Sequence, residues 1–417
     1  MEDRRLAAAT PARRPGPVRV IVTAALTLVV AALPVFLLGA LAPRVIADLG
    51  IGEVAIGGLV ALFFLVGAVT SVPGGHLTDR VGATTALRLG AVLAATVTVA
   101  IAATGTALWV LALLFAFAGI AVPLADTGGA RAIAAGVPRG RQGIAFGGKE
   151  ASIPVASLLA GLTVPLLGAQ LGWRPAYAVA AGLGIVVAIT IPRGLDQPAP
   201  PAPDDVALPP RTRRSPDPAL PTSVRRSALL LLALAAAFGS AAANAAPTFL
   251  VASTVAGGLP EARAGLVLAV ASSAGVAMRL ASGVAADRFA GTERRLTAGL
   301  MAVGGAGMLV LALGEAAGVT VGGAILALGG GWGWTGLAFL AAVRLLPEQP
   351  ARAAGMVLAG LATGGALGPL GFGALAAGPG YGTAWTAGAI AMGTAAVLAT
   401  SAEVVVRRSR HARGPVG

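Results

Sequence analysis

The sequence predicts an all-α membrane protein of twelve transmembrane helices, arranged as two six-helix pseudo-symmetric bundles. Three observations carry this: twelve apolar segments, a one-sided distribution of basic residues, and an internal repeat. Of 417 residues, 56% are hydrophobic and only 11% charged, too few to clothe soluble domains in a charged surface. The charges fall into short clusters between apolar runs, so lipid is the main solvent.

A bilayer core of about 30 Å needs about 20 apolar residues per helix. Segments of that kind run near 18–42, 53–75, 84–104, 107–136, 142–168 and 174–192, then 227–251, 262–286, 296–314, 317–345, 353–377 and 381–406. The expected organisation is a tail (1–17), a first bundle (18–192), a linker (193–226), a second bundle (227–406) and a closing tail (407–417). The first segment follows Arg4, Arg5, Arg13, Arg14 and Arg19, is too long for a signal-peptide core and lacks a clean cleavage site, so it reads as a span. Abundant Gly and Ala suit close helix packing in lipid, where Pro34, Pro154 and Pro369 are tolerated.

Twelve spans put alternate loops on alternate sides. Of the 30 basic residues, 25 fall on the side shared by both chain ends, while Arg44, Arg174 and Arg263 fall opposite and Lys149 and Arg279 lie within spans. The positive-inside rule then places both ends in the cytoplasm of a multi-pass inner or plasma membrane protein, likewise expected to be a monomer. The linker, rich in Pro (Pro198, Pro200, Pro201, Pro203, Pro209, Pro210) and Arg (Arg211, Arg213, Arg214, Arg225, Arg226), reads as a flexible tether.

The repeat has a fixed offset. Gly75-His-Leu-Thr-Asp79-Arg80 recurs as Gly283-Val-Ala-Ala-Asp287-Arg288, 208 positions later, and Gly172-Trp173 with Ala176-Tyr177 recurs at the same offset as Gly380-Tyr381 with Ala384-Trp385. Two anchors about a hundred residues apart in one register mark homologous halves.

Several function classes drop out. There are no cysteines, which removes thiol catalysis and thiolate metal sites. The two histidines, His76 and His411, both sit beside predicted cytoplasmic loops, so no metal centre or cofactor is expected. The net charge of +13 is spread over many loops rather than one face, which argues against nucleic acid and for membrane lipid as partner. No Walker-type glycine loop is present, and no clustered His, Cys or paired acids support an enzyme.

The stretch from Gly75 to Arg88 resembles the signature of the major facilitator superfamily, a glycine, an Asp-Arg pair and a second glycine between helices two and three. Gly75, Asp79, Arg80 and Gly82 match it; Ala83 and Thr84 stand where a basic pair is usual. In the second half Gly283, Asp287 and Arg288 correspond, with Gly291 one place late. The resemblance implies a secondary active transporter working by alternating access, with this motif gating the outward-facing state. Physically, Gly75 is expected to permit tight helix contact, Arg80 to complement the negative end of its helix, and Asp79 to accept from a facing helix N-terminus.

Ionisable residues inside spans are costly and are functional candidates. Arg279 in helix eight lies eight residues before Asp287, roughly 12 Å into the helix. It is a substrate candidate for a carboxylate or other oxyanion through a bidentate pair, or a partner for Glu150 holding the halves together. Lys149 in helix five is a second substrate candidate, with pairing to Glu150 or Asp126 as its alternative. Adjacent helix positions diverge by about 100°, so Lys149 and Glu150 are not expected to face one target together. Asp126 in helix four is a candidate proton carrier, or a neutralising partner for Lys149 or Arg131. Asn244, Trp332 and Trp334 are cavity candidates; the indoles would stack on an organic substrate or pack at the lipid interface.

Two finer resemblances concern these charges. An Arg eight positions before the Asp-Arg pair resembles the substrate arginine of nitrate/nitrite porters, although Ser71 stands where those porters carry a second Arg. The run Gly147-Gly148-Lys149 ahead of Pro154 resembles the fifth helix of cyanate-porter-like members. Together they imply a small organic or inorganic anion as cargo, moved with protons or by exchange. A drug efflux pump of the same superfamily, and a receptor or scaffold that binds without transporting, are the competing readings.

Overall fold

The computed structural model describes residues 15–138, 141–197, 220–288, 291–314 and 317–411. Among them are twelve helices long and apolar enough to cross a membrane. The first six are α1 (Pro17–Ala40), α2 (Glu53–Val81), α3 (Ala83–Thr104), α4 (Leu108–Gly136), α5 (Ile144–Leu171) and α6 (Trp173–Thr190). The second six are α7 (Thr222–Ala256), α8 (Glu261–Ala285), α9 (Glu293–Leu313), α10 (Gly318–Leu345), α11 (Arg352–Ala377) and α12 (Tyr381–Arg410). Below, the near side is where α1 begins and α12 ends, and the far side is its opposite. A short amphipathic helix, Ala42–Leu49, follows α1 on the far side and ends on Gly50, which takes the left-handed conformation (φ 63°) that a Cβ disfavours.

The segments match the expected ones to within a few residues, with three informative departures. The helix of α2 continues to Val81, so Asp79 and Arg80 occupy its last turn rather than a loop. It stops at Gly82 (φ 83°), where only glycine turns without strain. The expected tether is also shorter than 193–226: α7 already begins at Thr222, and Asp196 is folded onto α3. The remainder of the tether, 198–219, lies outside the described residues.

The third departure is in α5, which is split. Helical segments Gln142–Glu150 and Ser152–Thr163 flank a break at Ala151, and a π-turn, Val164–Gly168, follows. Proline explains both interruptions. Pro154 has no N–H to give the carbonyl of Glu150, and Pro165 has none for Gly161. Helix α10 breaks similarly at Trp334, between Ala317–Gly333 and Thr335–Leu345.

The contacts between the halves obey the repeat. Gly39 of α1 lies against Pro247 and Thr248 of α7, and Gly39 and Pro247 are themselves 208 apart, so the two helices meet on the pseudo-twofold axis. Gly57 of α2 abuts Pro369 of α11, while its counterpart Gly265 of α8 abuts Gly161 of α5, the counterpart of Pro369. These seams sit in the far-side portion of the helices. Nearer the chain ends, the tight glycine contacts lie within one half, such as Gly74 on Pro123, Gly136 on Val20, and Gly360 on Ala233. The tightest contacts between the halves therefore lie on the far side.

Candidate transport site

Where the seam ends, the halves are joined by charge. Arg279 of α8 donates from Nη1 to the backbone carbonyl of Glu150 (2.7 Å) and to Glu150 Oε2 (3.3 Å), and from Nε to the carbonyl of Trp332 (3.1 Å). Both carbonyls lose their helical N–H partner because their helices are broken: Pro154 has none to give Glu150, and the break at Trp334 leaves Trp332 to the Thr335 hydroxyl (3.3 Å) and Arg279. The buried guanidinium thus satisfies the Glu150 carbonyl, which would cost about 1–3 kcal/mol if left alone, and gives the Trp332 carbonyl a second donor. Its Nη2 has no acceptor among the described residues.

Lys149 is paired with both Asp126 of α4 and Glu150, at 3.0 Å from Glu150 Oε1. This is the pairing alternative for Lys149, met with both acids at once despite the roughly 100° divergence of neighbouring positions. The long lysine stem runs beside Gly129 of α4, where a methyl group would stand 3.4 Å from Lys149 Cδ. The result is a continuous chain, Asp126, Lys149, Glu150, Arg279, with two acids, two bases and zero net charge. By helical rise its members lie about 8–15 Å from the near-side ends of their helices, one layer between the near side and mid-depth.

Burial divides the four unequally. The side chains of Lys149 and Arg279 are 3% and 10% exposed, whereas those of Asp126 and Glu150 are each 46% exposed. The cations are walled in, whereas the carboxylates each keep close to half of their surface accessible. Water therefore reaches the acids first.

The structure distributes the remaining candidates. Trp332 is buried at the seam, its ring edge-on to Phe36 of α1 at 6.0 Å. Trp334 instead points into its own half, fully buried beside Gly239 and Met301, so the two indoles do not form one stacking platform, nor does either sit at a lipid interface. Asn244 is half-buried, donating to Ser240 Oγ (3.0 Å) and the Ser240 carbonyl, with Gly365 of α11 adjacent. A second seam bond, Ser272 to Ser157 (2.9 Å), has no counterpart among the sequence candidates, since isolated serines in apolar helices carry no distinctive signal.

The near-side motif is built differently from expectation. Gly74, not Gly75, makes the close contact to α4, with Thr78 hydrogen-bonded to Thr127 (2.7 Å) on the same face. Arg131 is no partner of Asp126; it bridges Asp79 (3.1 Å) and Asp196 (2.9 Å) at the membrane edge. Asp196, rather than Asp79, caps α3 by accepting from the backbone of Ala83 (2.6 Å) and Thr84 (3.4 Å). Arg80 is exposed in the last turn of α2 as expected, and Gly82 lets the Asp196 carboxylate approach: a methyl there would stand 2.9 Å from Oδ2. In the second half Gly283 and Arg288 are exposed, and the side chain of Asp287 lies outside the described residues.

Asp196 yields a prediction. Partial burial raises its carboxyl pKa, but the Ala83 amide, the Arg131 guanidinium and the Thr84 amide outweigh this and hold it below the ordinary range. A depressed carboxylate adds stability above its unfolded pKa, about 3.9, and loses it as pH falls through the lower folded value. Asp196→Asn should cost about 1 kcal/mol at neutral pH, as loss of a helix cap does. The gap between wild type and variant in thermal midpoint should close below about pH 4.

Twelve spans in two symmetric halves are an architecture that known proteins share. The sequence matches the family model described as Major Facilitator Superfamily over residues 24–346. The chain belongs to the Major Facilitator Superfamily. It is thus a multi-pass membrane transporter of a superfamily that is not one of enzymes. No curated protein matches it in sequence. The fold is similar to that of a bacterial homolog to the human lysosomal transporter Spinster, solved in an inward-facing and occupied conformation. The TM-score is 0.67 at 15% identity, covering 95% of this chain and 96% of that one. The unoccupied inward-facing form of that homolog gives 0.65 at 16% identity, covering 95% and 97%.

Proposed function

We propose that this Major Facilitator Superfamily member is a secondary active transporter of a small anion, coupled to protons, with its cargo bound at the charged layer. The carrying observation is the Arg279–Glu150 junction. Arg279 is fixed by two backbone carbonyls, carries an unused Nη2, and is blocked at Nη1 by one replaceable carboxylate oxygen. A proton on Glu150 would neutralise that carboxylate and release Nη1, so that an oxyanion could take Nη1 and Nη2 together in the bidentate geometry guanidinium favours. Proton and anion then bind as a neutral pair, and the half-exposed Glu150 is placed to receive the proton first.

The seat is consistent with the cyanate/nitrate-porter-like branch in having Arg279 and Lys149 at one depth, and it departs from nitrate porters at Ser71, whose hydroxyl is turned back to the Gly67 carbonyl (2.7 Å). Lys149 supports the seat indirectly, since its ammonium is already shared by two carboxylates. The near side is read as cytoplasmic on the distribution of basic residues, which makes this an inward-facing state.

Counterflow in proteoliposomes tests the reading. Small carboxylates and inorganic oxyanions that raise the thermal midpoint of the purified protein should exchange across the bilayer, and Arg279→Ala should remove both effects. Exchange of hydrophobic cations that survives Arg279→Ala would favour a drug pump instead. Binding without exchange would favour a receptor.

A further inference from the structure

The far-side seam closes at its rim through two carboxylates in equivalent positions. Glu53 opens α2 and Glu261 opens α8, each the first residue of its helix and 208 positions apart. Each lies one turn before the glycine that seals its seam, Gly57 and Gly265 respectively. Each also binds the opposite half. Glu261 accepts from Arg44 Nε of the first half at 2.7 Å, and Glu53 accepts from the Tyr381 hydroxyl of the second half at 3.3 Å.

We propose that Glu53 and Glu261 form a paired far-side latch that holds the outer mouth of the transporter shut and must be released on both sides of the pseudo-twofold axis for that mouth to open. The partners are not symmetry copies: the counterpart of Arg44 is Ala252, and that of Tyr381 is Trp173. Only the acids are shared, so the repeat has kept the latch position while its strike plates diverged.

Three features favour a latch over simple helix capping. A carboxylate in the first turn is stabilised by the helix dipole whether or not the halves meet, so capping alone requires no partner across the interface. Yet both acids have one. Arg44 is also fixed from its own half, Nη2 donating to the Ala169 carbonyl at 3.1 Å, which presents Nε to Glu261. Finally, the second carboxylate oxygen, Glu261 Oε1, is buried with no protein partner, so closure carries a desolvation cost and the latch is releasable rather than permanent.

The absence of cysteine makes the test direct, because one introduced thiol is the only one present. Thr248→Cys places it in the closed seam beside Gly39, where the native side chain is 5% exposed, sealed from membrane-impermeant maleimide on both sides. Glu261→Ala and Tyr381→Phe should each raise its labelling rate about fivefold, the population shift expected for loss of one such hydrogen bond, and the double variant should multiply the two. Arg44→Glu with Glu261→Arg should restore the slow rate. A second reporter, Thr78→Cys, lies 2% exposed between α2 and α4 within one half and should not respond. Labelling at position 248 that stays at the parent rate in all variants would overturn the proposal. So would a rise confined to one of the two single variants, or an equal rise at position 78, which would mean general loosening of the helices.

Discussion

Glu150→Gln is expected to abolish proton-driven accumulation of cargo while leaving exchange of labelled for unlabelled cargo intact. The side chain of Glu150 is the one member of the charged layer that touches cations of both halves, Lys149 at 3.0 Å and Arg279 at 3.3 Å. Glutamine keeps its size and its acceptor oxygen but cannot gain or lose a proton, so the position is held in the neutral form that releases Arg279. Anion binding then no longer waits on a proton. A pH gradient of one unit is worth about 1.4 kcal/mol per proton, or about tenfold accumulation. In the variant that ratio should fall to one, whereas counterflow should run at or above the wild-type rate. Asp126→Asn should behave differently, because Asp126 touches Lys149 but not Arg279. It should raise the cargo concentration needed for half-maximal transport without uncoupling it. Uptake against a gradient that persists in Glu150→Gln would move the proton site elsewhere.

How much of this is legible in the sequence depends on where each signal sits in the chain. Spans and the register of the repeat are written in local composition, and the contacts Gly57 to Pro369 and Gly161 to Gly265 reproduce that register in space. Arg279, Lys149, Glu150 and Asp126 announce themselves because a charge in an apolar run has few structural excuses. Their connectivity is harder to read. That Arg279 seeks backbone oxygens depends on Pro154 standing four residues after Glu150, a relation present in the sequence but masked by the more conspicuous charges. Asp196 is hidden for the opposite reason: in a Pro-rich polar stretch one more acid looks like solvent-exposed linker, and only folding onto α3 reveals the cap. Of the two bases offered to Asp126, Lys149 pairs with it and Arg131 does not, because a step of five residues along the helix carries Arg131 toward the membrane edge, to Asp79 and Asp196.

Gly364→Leu should prevent stable assembly of the second half, and even Gly364→Ala should be severe. Gly360, Gly364 and Gly368 form a stripe along one face of α11, and each leaves its missing Cβ pointed at backbone of α7, at Ala233, Ala237 and Ala241 in turn. A Cβ at 364 would stand 2.7 Å from the Ala241 amide nitrogen and closer still to the Ala237 carbonyl. The obstacle is main chain inside a helix, so no side-chain rotation relieves it and the helices must separate along their length. In lipid that separation is not resisted by a hydrophobic effect between helices; close packing is itself the main attraction, and it is what the substitution removes. Overpacking usually costs about 1–3 kcal/mol, and a backbone collision belongs at the upper end. The equivalent positions of α5 are Ser152, Ala156 and Ala160, all buried, so the first half carries a side chain at each place where the second has none. Gly371 on the same helix has open space around its Cβ direction, and Gly371→Ala should raise stability by the helix preference for alanine, about 1 kcal/mol. Thermal unfolding of the purified variants followed by size exclusion checks both signs: a midpoint for Gly364→Ala equal to that of wild type would show that α7 and α11 do not approach this closely.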